Sequence, residues 1–355
     1  MGSTTYTASF NSSASITPYS SYTYPADNVY IELNCYRNCK NITSVDLNNI
    51  SFLNNSMVSA FENCSNLTTI LNINNNVDNM SSTFKWCTSL VNVPDIPNSV
   101  TNMYGTFSHC TQLVNAPVIP NSVTDMSSTF YNCSSLVDAP VIPNSVTRMQ
   151  STFMDCISLV NAPVIPNSVV DMHGAFMQCS TLVDMPVIPN SVTDLVSTFS
   201  HCTQMVNAPD IPNSVVNIAC IFRSCTHLVN SPNIPSSVTN MGWAFITASS
   251  LTGNIYIHSN QITNAINCFQ STSLTKNVYI PFKYENNVNT LTYNAFITAG
   301  YKTDGSVNGV YLKDINLLPY EVNDAEYTIS QSGTEITLER YIGSNADIIV
   351  PRSKS

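Results

Sequence analysis

A repeat solenoid is the fold class this sequence predicts, and three observations predict it. The first is a landmark, Phe-x-x-Cys, with Phe61, Phe84, Phe107, Phe130, Phe153, Phe176, Phe199 and Phe222 each followed three residues later by Cys64, Cys87, Cys110, Cys133, Cys156, Cys179, Cys202 and Cys225. Each step is 23 residues, and a ninth copy keeps Phe245 but carries Ala248 in place of the cysteine. The second is that the whole unit repeats, as in VNAPVIPNSVTDMSSTFYNCSSL from Val114 to Leu136. The third is composition: charged residues make up only 10% of the 355-residue chain, against about 25% in ordinary globular domains. Asn, Ser and Thr stand in for Lys and Glu, as expected where a charge repeated every coil would repel itself. A unit this short cannot bury its apolar stripe alone, so each is one coil stacked on the next.

Four regions follow along the chain. Residues 1–34 are rich in Ser, Thr and Tyr, and the alternations at 6–10 and 29–33 read as strands. They form either a cap over the first coil or a docking segment. Residues 35–252 are the array, opening on a degraded landmark, Tyr36-Arg37-Asn38-Cys39, which stands 25 residues before Cys64. Residues 253–318 are divergent repeats that close the stack. Here 254–257 and 277–280 are again 23 apart, 309–312 follows 32 residues later, and Phe269 and Phe296 echo the landmark. Residues 319–355 are a small β element with strands at 327–330, 335–339 and 347–350.

Within one coil, Leu136, Ala139 and Val141 are expected to point inward from a short strand, with Val137, Asp138 and Pro140 outward. Pro140 and Pro143 lack the N–H that sheet pairing uses. Ile142 to Ser145 reads as a turn, and Val146 resumes the core. Met149, Phe153 and Cys156 are spaced i, i+4, i+7, which predicts one or two helical turns. The structural core is therefore the column of Phe107, Phe130, Phe153, Phe176 and Phe199 beside Cys110, Cys133, Cys156, Cys179 and Cys202. One cysteine per coil at an equivalent place reads as a buried, reduced thiol rather than a disulfide framework. Cys35 and Cys39 are the expected exceptions.

The unit V-T-x-M-x-x-x-F-x-x-C-x-x-L, as in VTDMSSTFYNCSSL (123–136) and VTNMYGTFSHCTQL (100–113), resembles the BspA-like leucine-rich repeats of bacterial surface proteins. The resemblance covers about residues 35–252. It implies a right-handed solenoid of strand-and-helix coils with a parallel β-sheet on one face, and a role in binding rather than catalysis. KNVYIPF (276–282) and NGVYLKD (308–314) are similar to the ends of such arrays in phage structural proteins and gut bacterial proteins. TEITLERYIGSNADIIVP (334–351) is similar to the lead-in to another array.

Function is narrowed by exclusion. A net charge of -10 offers no basic patch for nucleic acid or an anionic membrane, and no run approaches the roughly 20 apolar residues of a membrane span. His109-Cys110 and His201-Cys202 stand four coils apart, about 19 Å at roughly 4.8 Å per coil, too far to share a metal. No P-loop, nucleophile elbow or zincin motif appears, and the carboxylates Asp171 and Asp194 read as a solvated edge. No enzyme activity and no cofactor are expected.

Two surfaces remain. Asn92, Asn115, Asp138, Asn161, Asp184, Asn207 and Asn230 form a column expected to hydrogen-bond from coil to coil, with a flat face for a glycan or a partner as the other reading. Around the landmark Phe, Trp86, Tyr104, His109, Tyr131, Arg148, Met154, His173, Met177, His201, Arg223 and Trp243 vary between coils. Aromatic, Arg and Met side chains are those that contact surfaces enrich. The expected function is adhesion: a bacteriophage tail- or head-fibre protein on the virion surface, since residues 1–30 show no secretion signal. Its partners would be a host cell-surface glycan or protein and, through the termini, other virion or surface proteins, with a homo-oligomer as the expected symmetry. A bacterial cell-surface adhesin and a purely structural virion spacer are the alternatives.

Overall fold

The structure is a computed structural model that describes residues 30–31, 36–47, 51–272, 276–283, 288–303, 310–317, 327–332 and 335–341. Its core is a set of columns, one residue type per column. In one coil Leu136, Ile142, Val146, Met149, Phe153 and Cys156 are all buried, and the equivalents above and below repeat them. From Phe61 to Phe269 each ring lies 5.4 to 6.1 Å from the next. The Tyr36 ring extends this ladder upstream, stacked 5.1 Å from Phe61 at 4°. Phe296 ends it, tilted at 6.2 Å from Phe269.

Coil-to-coil pairing is parallel throughout, and prolines decide how long it runs. Between Asn79 and Asn264 it consists of single-residue bridges, such as Asn115 to Asp138 to Asn161 to Asp184. In the column from Asn92 to Asn230 Pro stands two residues after each bridging residue and again three later, which removes the donors a ladder needs; in the column from Asn79 to Asn264 the chain passes directly into turns. Strands appear where the prolines are missing. β1 (Tyr30–Ile31) pairs with β3 (Ser51–Phe52), and β2 (Ser44–Val45) pairs with β4 (Thr69–Ile70). β5 (Ile255–Tyr256), β6 (Lys276–Ile280) and β7 (Val310–Asp314) form a three-stranded parallel sheet.

The segment around the landmark is not helical. Its apolar positions are buried as the i, i+4, i+7 spacing predicts, but the backbone is a run of tandem β-turns. N–H groups alternate in direction. Thr106, Ser108 and Cys110 donate three residues back within the coil, to Met103, Gly105 and Phe107, while Gly105, Phe107 and His109 donate to Ser127, Thr129 and Tyr131 of the next coil. Two residues per coil adopt left-handed φ, two before and two after the Phe: Ser82 and Trp86, Gly105 and His109, Ser128 and Asn132, Ser151 and Asp155. Each is the third residue of its turn, where a type II turn needs φ above zero. A helix would spend every N–H inside the coil; this backbone spends half on its neighbour, which welds the stack.

Carbonyls that the turns leave inside the stack are met by side chains of the next coil. Thr83, Thr106, Thr129 and Thr152 donate to the carbonyls of Met57, Met80, Met103 and Met126 at 2.8–3.0 Å. Each landmark thiol does likewise, Cys110 to Phe84, Cys133 to Phe107 and Cys156 to Phe130, at 3.1–3.2 Å. The turn serines Ser122, Ser145 and Ser168 donate to Val100, Val123 and Val146. The cysteine is thus a polar partner as well as a small apolar one, and the eleven cysteines of the described residues are free thiols. Cys35 lies outside the described residues; Cys39 is half-buried, with its thiol pushed up by burial.

Several expectations are corrected. Val141 does not face the core: it is 87% exposed, as are Val164 and Val187, and Ile142 is buried instead. The chain turns one residue later than expected, at Pro143 to Val146, closed by the Val146 N–H on the Pro143 carbonyl at 3.1 Å. The column from Asn92 to Asn230 is exposed and meets the neighbouring coils through backbone bridges, not through side-chain hydrogen bonds. In the closing sheet Asn277 pairs with Tyr311, where the spacing of 32 would have set it opposite Gly309. The shift of two keeps Val278 and Leu312 on the buried face. The residues between β6 and β7 form α1 (Leu291–Thr298), whose N-terminus is capped by the Thr290 hydroxyl accepting from the Tyr293 N–H at 3.0 Å. Farther on, β8 (Tyr327–Ser332) and β9 (Glu335–Tyr341) form an antiparallel hairpin. The strands expected at 6–10 and 347–350 lie outside the described residues.

Candidate binding face

The tandem turns start from a fixed acceptor. The side chains of Asn79, Asn102, Asp125, Asp171, Asp194, Asn217, Asn240 and Asn264 each accept from the N–H two residues on, at 2.8–3.2 Å. Such short side chains stabilise a chain reversal by replacing a backbone partner. Asp171 and Asp194 are therefore turn acceptors rather than a catalytic pair. Arg148 is the exception in this column. It cannot accept, and its guanidinium reaches back to Asp125 at 3.8 Å with most of the side chain in solvent. Restoring the acceptor with Arg148→Asn is expected to stabilise the protein by about 0.5–1 kcal/mol, the worth of such a cap less that of an exposed ion pair. Thermal unfolding of the variant beside the parent checks this.

The turns present four side-chain columns to solvent, and the predicted contact residues fall among them unevenly. Trp86, Tyr104, His109 and Tyr131 come together. The Trp86 and His109 rings stack 3.6 Å apart at 5°, and Tyr131 meets His109 edge-on at 4.8 Å. Tyr131 lies beside Asp155, and burial and that carboxylate push its hydroxyl pKa up. His109 Nδ1 accepts from Asn132 Nδ2 at 2.8 Å, which puts the ring proton on Nε2. Burial and the nearby Lys85 charge lower the His109 pKa, so the ring is neutral at pH 7.

These side chains wall a hollow of about 230 Å³, floored by Ser82, Gly105, Ser108 and Ser128 and edged by Lys85 and Tyr104. Gly105, at φ 60°, keeps the floor low. Met154, His173, Met177 and His201 are half-buried farther along the stack, and Arg223 and Trp243 are exposed there. His201 is held below its usual range by burial and by Arg223, with Asp155 opposing. Arg148 stands apart on the acceptor column, so the eleven predicted residues do not form one cluster. The reading from sequence missed Lys85 and the small residues of the floor. Their signal was present: the positions two before the Phe are Ser82, Gly105 and Ser128, small beside large aromatic neighbours. Among the described residues, no three His, Cys, Asp or Glu side chains gather to hold a metal. No helix among them is long and apolar enough to cross a membrane.

The same period is a family signature. The family described as BspA type Leucine rich repeat region (6 copies) matches residues 4–136, 80–206 and 196–303. The chain belongs to this family. A leucine rich cell surface protein from Faecalibacterium prausnitzii is 22% identical over 66% of this chain and 85% of its own, with a TM-score of 0.33. The T. pallidum leucine-rich repeat protein is 24% identical over 50% of this chain and 83% of its own, at 0.40. A leucine-rich repeat protein from Bacteroides ovatus is 18% identical over 76% and 69%, at 0.44. No curated protein matches. The BspA-type array thus has the leucine-rich-repeat fold with parallel coil pairing.

Proposed function

We propose that this protein is a non-enzymatic adhesin that binds a cell-surface partner through its tandem-turn face. The observation that carries the reading is the gathering of Trp86, Tyr104, His109 and Tyr131 beside a hollow on that face, within an array whose other columns serve stacking. Large aromatic side chains left half in solvent are the anchors that binding surfaces use. The carboxylates that might have suggested catalysis are committed to turns.

Display on a bacterial cell surface accords with family membership. Display on a virion, the expectation drawn from sequence, finds no support there and stands as the second reading. Labelled protein is expected to bind selectively within a panel of gut bacteria or host cells, and to lose that binding when surface polysaccharide is stripped. A well-folded sample that binds no cell type would count against adhesion and favour a structural role.

A further inference from the structure

We propose that the hollow bounded by Trp86, Tyr104 and His109 is a subsite for an acidic saccharide, a sialic or uronic acid residue within a surface glycan. The proposal rests on the adhesion reading and names its ligand class.

Shape sets the size. At about 230 Å³ the hollow is below the roughly 300–1,000 Å³ of pockets for drug-sized ligands. It holds one sugar ring, with the rest of the glycan outside. Trp86 is 42% and Tyr104 49% exposed. The negative faces of such rings attract the positively polarised C–H groups of a pyranose. The serine floor offers hydroxyls that both donate and accept, which suits sugar hydroxyls.

Charge sets the class. Lys85 is the only ionised side chain of the lining, and it has no ion-pair partner among the described residues. An unpaired cation at an aromatic hollow, on a chain of net charge -10, fits a ligand with one carboxylate. A phosphate dianion would need more donors. The backbone N–H groups here are already spent, Trp86 on Ser108, Gly105 on Ser127 and His109 on Tyr131.

The backbone presents the rings. Trp86 and His109 take the third place of their turns at φ of 64° and 63°, a place that Asn63 and Asn132 fill in the flanking coils and Asp155, Gln178 and His201 fill farther on. The conformation is common to the whole array; what is local to the hollow is that two flat rings stack at this place, 3.6 Å apart.

The test uses the full-length chain and calorimetric titration with N-acetylneuraminic acid, glucuronic acid and glucose. The acids are expected to bind about tenfold more tightly than glucose. Lys85→Gln should abolish that preference. Trp86→Asn and Tyr104→Ser, each the residue type that neighbouring coils carry, should weaken all binding about tenfold or more, with thermal unfolding unchanged or improved. Equal affinity for acid and neutral sugars, binding unaltered by Trp86→Asn, or no binding of any sugar by the parent overturns the proposal. Cell adhesion by a parent that binds no sugar would overturn the proposal while leaving the adhesin reading in place; a parent that adheres to no cell would sink both.

Discussion

Stability is expected to collapse above pH 8.5 in a reducing buffer. Eight described thiols, Cys87, Cys110, Cys133, Cys156, Cys179, Cys202, Cys225 and Cys268, are pushed far above their usual range, first by burial. In the unfolded chain each ionises near pH 8.5. Below that pH both states hold the proton and the thiols contribute nothing to pH dependence. Above it the unfolded state releases protons that the folded state retains, so unfolding is favoured as pH rises. By pH 9.5 each thiol has removed about 1.4 kcal/mol, and eight together about 11 kcal/mol, comparable to the total stability of an ordinary domain. Denaturant midpoints at pH 7.5, 8.5 and 9.5 check this. In a variant carrying Cys133→Ala and Cys156→Ala the slope should shrink by about a quarter, two of the eight groups being gone. Ala248 shows that the position accepts alanine. Midpoints that do not move would mean that the thiols are not sealed in the stack.

Phe153→Ala is expected to cost about 3–5 kcal/mol. Phe153 is fully buried with Phe130 at 5.7 Å on one side and Phe176 at 5.6 Å on the other. Truncation leaves a void that neither neighbour can fill, because both are fixed in their own coils by backbone bonds to adjacent turns. The loss should be local in a stack where each coil touches only its neighbours. Hydrogen exchange should therefore speed most over residues 126–182 and least near β5 to β7. An even loss of protection along the chain would speak against the stacked-coil account.

The sequence carried the architecture because the core repeats every 23 residues; Phe, Cys, Met and Leu positions are all buried as the period requires. It misled about the turns because spacing reports which residues are buried, not how the backbone arrives there. Met149, Phe153 and Cys156 sit on one face in a helix and in a run of tandem turns alike. The clue was Ser, Gly, Asn and Asp recurring two residues before and after the Phe, where left-handed φ is needed. Val141 was misplaced because a strand was assumed to alternate through two prolines. The aromatic part of the hollow was legible from residue type; Lys85 and the serine floor were not, because their role comes only from the neighbours that stacking gives them.

The measurement that bears most directly on the account compares two full-length variants for adhesion to a cell type that the parent binds. One replaces Trp86 and Tyr104 by Asn and Ser on the tandem-turn face. The other replaces the exposed Val118, Val141, Val164 and Val187, which lie outside the tandem turns, by Thr. The account predicts that the first loses adhesion and the second keeps it, both remaining folded. Loss in the valine variant with adhesion intact in the aromatic one would place the contact surface elsewhere and contradict it.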